Sequence, residues 1–157
     1  MRQKSFILLG MVVGLFLFFG SQAQADDMMF GVRAGGYFDA EAGFIGGEVL
    51  VPVSGDHWYF NPNLEYVFVD RGDLITFNFD FHYDLPTDDF YFWLGAGPAI
   101  LYFNPERDVF DSDTDIGVNL FVGLGFKVGS GRVVPYVQPK VIIADNSEFA
   151  LAVGLRF

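Results

Sequence analysis

The chain has 157 residues, 52% apolar, 18% aromatic and only 18% charged, with 19 Gly, no Cys and a formal net charge of −11. That length suits a single domain, and an aromatic share this high excludes a disordered or merely solvating acidic segment. Without Cys there is no disulfide framework and no thiolate metal site, and the acidic balance excludes nucleic acid, which is held by Lys and Arg against phosphate.

Arg2 and Lys4 open the chain, followed by an apolar run from Phe6 to Phe19, a break at Gly20-Ser21 and the small-x-small triplet Ala23-Gln24-Ala25. A positive start, an apolar middle of about 7–15 residues and such an end make a secretory signal peptide. The run is short against the roughly 20 residues of a spanning helix. The expected division is therefore a signal peptide over 1–25 and one domain over 26–157.

After Ala25 no window shows a helical period. Eight segments alternate with period two between clusters of Asp, Gly, Ser, Asn and Pro. They are Met28–Phe38, Gly43–Val53, Trp58–Val69, Leu74–Tyr83, Phe90–Phe103, Asp115–Val128, Val133–Ile143 and Phe149–Phe157. Segments of about 9–11 residues with short turns have the length that crosses a membrane at a tilt.

The two faces differ sharply. One carries Phe30, Val32, Ile45, Val49, Val51, Leu64, Phe77, Phe79, Val118, Leu120, Val122, Val141 and the terminal series Phe149, Leu151, Val153, Leu155, Phe157. The other carries Gly31, Arg33, Gly46, Glu48, Asn61, Asn63, Glu65, Thr76, Asn78, Asp80, Asn119, Gly123, Lys127, Gln138, Lys140 and Arg156. A soluble barrel of the lipocalin type would turn the Gly-rich face to water, a poor surface for solubility. The reverse is coherent: small and polar residues fill a tight eight-stranded interior, lipid meets an uncharged outside, and closure leaves no edge in hydrocarbon. The expected fold is all-β, an eight-stranded antiparallel up-and-down transmembrane β-barrel. The turns 39–42, 54–57, 70–73, 84–89 and 129–132 all have even length, which preserves this facing. Pro62, Pro98 and Pro139 fall inside strands, where a residue without an N–H requires a bulge or a local gap.

The chain ends Phe149-Ala-Leu-Ala-Val-Gly-Leu-Arg-Phe157. A terminal Phe preceded by apolar residues at every second position resembles the C-terminal signature of bacterial outer-membrane β-barrels, in the small OmpA-transmembrane, OmpX and OmpW-like class. The resemblance implies an integral outer-membrane protein of a Gram-negative-type bacterium, a monomer surrounded by outer-membrane lipid. It also implies that the assembly machinery reads Phe149, Leu151, Val153, Leu155 and Phe157. Both termini would face the periplasm, with 39–42, 70–73, 104–114 and 144–148 outside the cell. Candidate aromatic girdles are Trp58, Phe60, Tyr83, Phe90 and Phe92 at one end, and Phe38, Phe68 and Tyr102 at the other.

Some barrels of this kind modify lipid A, chemistry that needs a nucleophile and base near the outer leaflet. The only histidines are His57 and His82, both toward the opposite side, while the outer serines Ser112 and Ser147 have no His near them. No catalytic residue, cofactor or resident metal is assigned. Asp111-x-Asp113-x-Asp115 opens like an EF-hand loop but has Ile116 and Val122 where that loop needs Gly and Glu, and reads as a solvated acidic loop. Tyr37, Tyr91, Trp93 and Phe121 point inward and either fill the lumen or line an OmpW-like pocket for small hydrophobic molecules; filling is preferred. Inward charges are Arg33, Lys127, Lys140 and Arg156 against Glu48, Glu65, Asp80 and Glu148. Buried charges must pair. A turn at 39–42 sets Phe38 opposite Gly43, and so Arg33 directly opposite Glu48, with Glu65 beyond and Lys140 across the lumen. This network would plug the barrel, leaving a structural or cell-surface interaction role.

Overall fold

The computed structural model describes residues 28–70, 72–85, 87–105, 112–129 and 133–157. The expected signal peptide, and Asp111 of the acidic loop, lie outside them. Eight strands follow in order: β1 (Met29–Tyr37), β2 (Ala42–Ser54), β3 (Trp58–Val67), β4 (Gly72–Leu85), β5 (Phe90–Pro105), β6 (Asp113–Phe126), β7 (Val134–Ile143) and β8 (Glu148–Arg156). Each pairs antiparallel with its sequence neighbour, and β8 returns to β1, closing the barrel β1 through β8. At the seam Phe30 and Phe157 exchange backbone hydrogen bonds of 2.9 and 2.8 Å.

The facing follows the alternation. Arg33, Glu48, Glu65, Asn78, Asp80, Asn119, Lys140 and Arg156 are buried, while 25 large hydrophobic residues among those described are exposed, including Val32, Ile45, Leu64, Leu120 and Val153 at 44% or more. Water-soluble monomers rarely expose so broad an apolar surface, which marks a face turned to lipid or to a partner. Val51 and Phe60 depart from the expected exposure: both lie on the outer face but are buried at 9% and 8%, with the Phe60 ring 4.8 Å from that of Phe81.

The register of the first hairpin differs from expectation. Glu41 takes a left-handed φ of 50°, the turn occupies residues 38–41, and Tyr37 already pairs with Ala42. Arg33 therefore lies opposite Gly46, and Glu48 opposite Gly31. A slip of two residues leaves every side chain on its expected face while changing its neighbour. The β4–β5 hairpin slips by four, with Tyr83 opposite Leu94 instead of Phe90, whereas Val128 meets Val133 as the turn at 129–132 requires. Pro62, Pro98 and Pro139 sit at gaps, where the ladder skips Val49/Pro62, Phe79/Pro98 and Val122/Pro139, each with one adjacent pair; Pro52, Pro105 and Pro135, nearer the strand ends, pair with Tyr59, Gly72 and Leu155.

Candidate functional site: a filled lumen

Alternation sends every second residue inward, so the lumen is a stack of side chains from all eight strands. At the end away from the chain termini, Tyr37, Ala42, Phe44, Val67, Ala99, Ile142, Ala150 and Ala152 form an apolar layer. At the termini end, Trp93, Phe121 and Tyr136 cluster with Tyr91 against them. Charges and amides occupy the middle.

Glu65 is the hub of that middle layer. Lys140 Nζ reaches its two oxygens at 2.9 and 3.0 Å, and Arg33 Nη2 lies 3.2 Å from Oε1. Thr76 Oγ1 donates to Oε2 at 3.1 Å, and the Tyr37 hydroxyl donates to the same oxygen. Glu48 is held by Arg156, through Nε at 3.0 Å and Nη2 at 3.4 Å, with Arg33 Nη1 at 3.7 Å on its other side. Arg33 thus bridges both carboxylates, and a continuous line runs Arg156, Glu48, Arg33, Glu65, Lys140. Every member is at most 4% exposed. Charges so buried persist because each is paired, and Arg33 is held by its two ion pairs alone, since none of its side-chain nitrogens makes a hydrogen bond.

Two glycines make this line possible. Arg156, Gly31 and Glu48 are successive partners across β8, β1 and β2, and Arg33, Gly46 and Glu65 across β1, β2 and β3. In each case cation and carboxylate meet over a strand that contributes no side chain. A Cβ on Gly31 would stand 2.7 Å from Glu48 Oε1, and one on Gly46 would stand 3.2 Å from Glu65 Cγ and 3.3 Å from Arg33 Cγ.

Two expected members are elsewhere. Lys127 is exposed at the termini-end rim, donating to the carbonyls of Thr87 at 3.1 Å and Asp88 at 2.7 Å. It follows the last residue of β6, within reach of free turn carbonyls that hold it in water at no desolvation cost. Glu148 sits on the opposite rim, accepting from Ala40 N at 3.2 Å, while Asp39 accepts from Phe149 N at 2.9 Å. Asp80 is inside but bound to amides, Asn63 Nδ2 at 2.9 Å and Asn119 Nδ2 at 2.8 Å, rather than to a cation. Three cations thus face three carboxylates in the lumen among the described residues.

The amide layer around Asp80 is built from neutral side chains that charge pairing alone does not announce. Asn78 Nδ2 donates to Asn63 Oδ1 at 2.9 Å, and Asn119 Nδ2 to Asn78 Oδ1 at 2.8 Å. Its signal was present in Asn61-x-Asn63-x-Glu65 and Thr76-x-Asn78-x-Asp80-x-His82, polar at successive inward positions of two paired strands.

The inward aromatics are committed to packing. Arg156 lies between the rings of Trp93 and Tyr136, 4.3 and 4.6 Å from their centroids, and Trp93 Nε1 donates to Gln138 Oε1 at 3.0 Å. Tyr37 belongs to the other end of the lumen, so the four aromatics form no common pocket. His82 is fully buried, with Nε2 3.3 Å from Asp84 Oδ1, while His57 lies against Tyr83 at the rim, 5.6 Å between ring centroids. Asp113 and Asp115 turn their carboxylates onto the backbone N–H groups of Thr114 and Ile116, at 2.9 and 2.8 Å. Among the described residues no three His, Asp or Glu side chains are grouped to hold a metal.

No protein-family profile matches the sequence, and no curated protein matches it. Solved structures do match its fold. The N-terminal β-barrel domain of Pseudomonas aeruginosa OprF superposes with a TM-score of 0.66 at 18% identity, over 83% of this chain and 96% of that one. Neisserial surface protein A gives 0.64 at 13% identity, over 82% and 94%. The attachment invasion locus protein Ail of Yersinia pestis, solved with the heparin analogue sucrose octasulfate, gives 0.54 at 14% identity, over 83% and 97%. An uncharged apolar belt, a polar filled interior and these likenesses together give this chain the fold of the small eight-stranded outer-membrane β-barrels.

Proposed function

We propose that this protein is a non-enzymatic integral outer-membrane barrel with a structural or cell-surface interaction role, and that its lumen is closed to ions and solutes. The observation that carries this is the unbroken buried line Arg156, Glu48, Arg33, Glu65, Lys140, capped by an apolar layer on one side and an aromatic layer on the other. Eight strands enclose only enough room for side chains, and here that room is taken. An entering ion would have to displace paired charges and meet fixed ones.

In this reading the signal peptide 1–25 is removed, the chain acts as a monomer in outer-membrane lipid, and the termini face the periplasm. The opposite rim, with Asp39, Glu41, Asp70, Asp73, Asp145 and Glu148, then faces outward. Such a rim repels sulfated polyanions of the kind bound to Ail, so an external partner would be neutral or basic. The assembly machinery would read Phe149 to Phe157. Removing Phe157 should then lower the folded yield in cells far more than refolding in detergent, whereas equal losses would reduce Phe157 to a packing residue.

The decisive experiment is conductance of the purified protein in planar bilayers, beside gel migration with and without boiling. A folded barrel shifts on boiling and gives no open-channel steps. Discrete sustained currents from the heat-shifting species would overturn the closed-lumen reading, and partition into the aqueous phase without a shift would overturn the membrane reading.

A further inference from the structure

Three of the prolines, each well inside its strand, fall in a regular pattern, whereas Pro52, Pro105 and Pro135 lie within three residues of a strand end and pair with Tyr59, Gly72 and Leu155. Pro62 lies on β3 and interrupts its ladder with β2, Pro98 on β5 interrupts that with β4, and Pro139 on β7 interrupts that with β6. On its other side each proline is paired without a break, to Phe79, Val118 and Leu151. The ladders β1–β2, β3–β4, β5–β6, β7–β8 and the closing β8–β1 are continuous. So every interface whose strands are joined by a turn at the termini end is gapped, and every interface joined at the other end is whole.

The chemistry of each gap is the same. Proline has no N–H, so the carbonyl opposite, on Val49, Phe79 or Val122, loses its ladder donor. In hydrocarbon no water can replace it. At Val49 the loss is repaired, since Asn61 Nδ2 donates to that carbonyl at 3.0 Å. At Phe79 the carbonyl lies beside Gly97, where a Cβ would stand 2.3 Å from its oxygen, and no side-chain donor reaches it among the described residues. At Val122 no side-chain donor is present among the described residues. There, Val122 and Pro139 line an open depression of about 360 Å³ on the lipid-facing side, with Leu94, Leu120, Val141 and Phe149 around it.

We propose that the prolines divide the barrel wall into three stiff units, β7–β8–β1–β2, β3–β4 and β5–β6, joined by three hinge lines, and that β6–β7 is the line that yields most. The wall flexes between the units β7–β8–β1–β2, β3–β4 and β5–β6 while the lumen contents stay paired. The order of compliance follows the repair and packing of each gap, with β2–β3 the firmest and β6–β7 the loosest.

Amide hydrogen exchange, read residue by residue by NMR on the full-length chain folded in detergent micelles, tests this. The amides of Val49, Phe79 and Val122, each in a pair that has lost its second hydrogen bond and so opens more readily, should exchange faster than those at matching depth in the continuous ladders, and Val122 fastest. The expected difference at Val122 is about tenfold, the equivalent of roughly one hydrogen bond. Pro139→Val should slow exchange at Val122 by a similar factor and leave Val49 and Phe79 unchanged, while Asn61→Ala should speed Val49 alone. Uniform protection across the seven sequential interfaces would overturn the hinge lines, and so would a folded Pro139→Val variant with unaltered exchange. Should that variant fail to fold, the unmodified chain's profile and Pro98→Val, read at Phe79, decide the matter.

Discussion

Arg156 and Glu48 meet across the closing seam of the barrel, over Gly31, with Nε 3.0 Å from Oε1. The pair links the last strand to the second over the top of the first, so it exists only when the barrel has closed. Arg33 and Glu65 repeat the arrangement one strand along, over Gly46, at 3.2 Å. A long cation, a glycine and a carboxylate on three successive strands form one motif, used twice.

Glu65 should be the most sensitive carboxylate in the protein. Its replacement by Gln removes the shared partner of Lys140 and Arg33, leaving Lys140 without a close anion. Breaking a buried pair by removing one partner costs about 3–5 kcal/mol. Glu65→Gln should lower the unfolding free energy in a lipid-folding titration by that amount. The double variant Glu65→Gln with Lys140→Met should recover most of the loss; additive losses would show that the two side chains act separately.

The glycines separate into two kinds by what a methyl would meet. A Cβ on Gly123 would lie 2.0 Å from the Trp93 ring, whereas one on Gly47 would have only the Gly31 carbonyl at 3.8 Å. Gly123→Ala should therefore cost about 1–3 kcal/mol by forcing the tryptophan off its seat. Gly47→Ala should be neutral or stabilising by roughly 0.5 kcal/mol, because alanine loses less backbone freedom in a strand. Similar denaturation midpoints for the two variants would mean that Trp93 does not rest on Gly123.

Facing, strand number and closure were legible in the sequence because period two is insensitive to an error of two residues. Register was not. The slip of Arg33 from Glu48 to Gly46 turns on the left-handed φ at Glu41, a backbone choice that composition does not announce. Lys127 was assigned to the lumen by parity alone, yet it lies just past the end of β6, where its chain can turn to the Thr87 and Asp88 carbonyls. The amide layer around Asp80 was visible residue by residue but not as a unit, since partners such as Asn63 and Asn119 come together only once β3 and β6 face one another across the lumen.

Charge placed on the belt should cost far more than charge placed on the rim. Leu120 is 47% exposed on the outer face, well inside β6, while Asp145 lies in the short turn after β7. Leu120→Arg should cost about 2–4 kcal/mol in vesicles, the depth-dependent penalty for a cation near the bilayer midplane. Asp145→Arg should cost nothing measurable. Equal penalties would require the apolar face to be turned away from lipid.

The two arginines of the lumen should not be equivalent. When Arg33 is replaced by Met, Glu48 keeps Arg156 at 3.0 Å and Glu65 keeps Lys140 at 2.9 Å, so each carboxylate retains its nearest cation. When Arg156 is replaced by Met, Glu48 is left with Arg33 at 3.7 Å, and the space between Trp93 and Tyr136 loses its cation. A desolvated cation on an aromatic face contributes about 2 kcal/mol, in addition to about 3–5 kcal/mol for breaking the buried pair. Arg156→Met should therefore destabilise the barrel clearly more than Arg33→Met, and Arg156→Lys should restore only part of the loss, because an ammonium cannot fork onto the carboxylate while lying flat between two rings. The measurement is the shift in urea midpoint of the three variants in the same vesicles. An Arg33→Met loss as large as that of Arg156→Met would show that the bridging guanidinium, and not the seam pair, holds the lumen together.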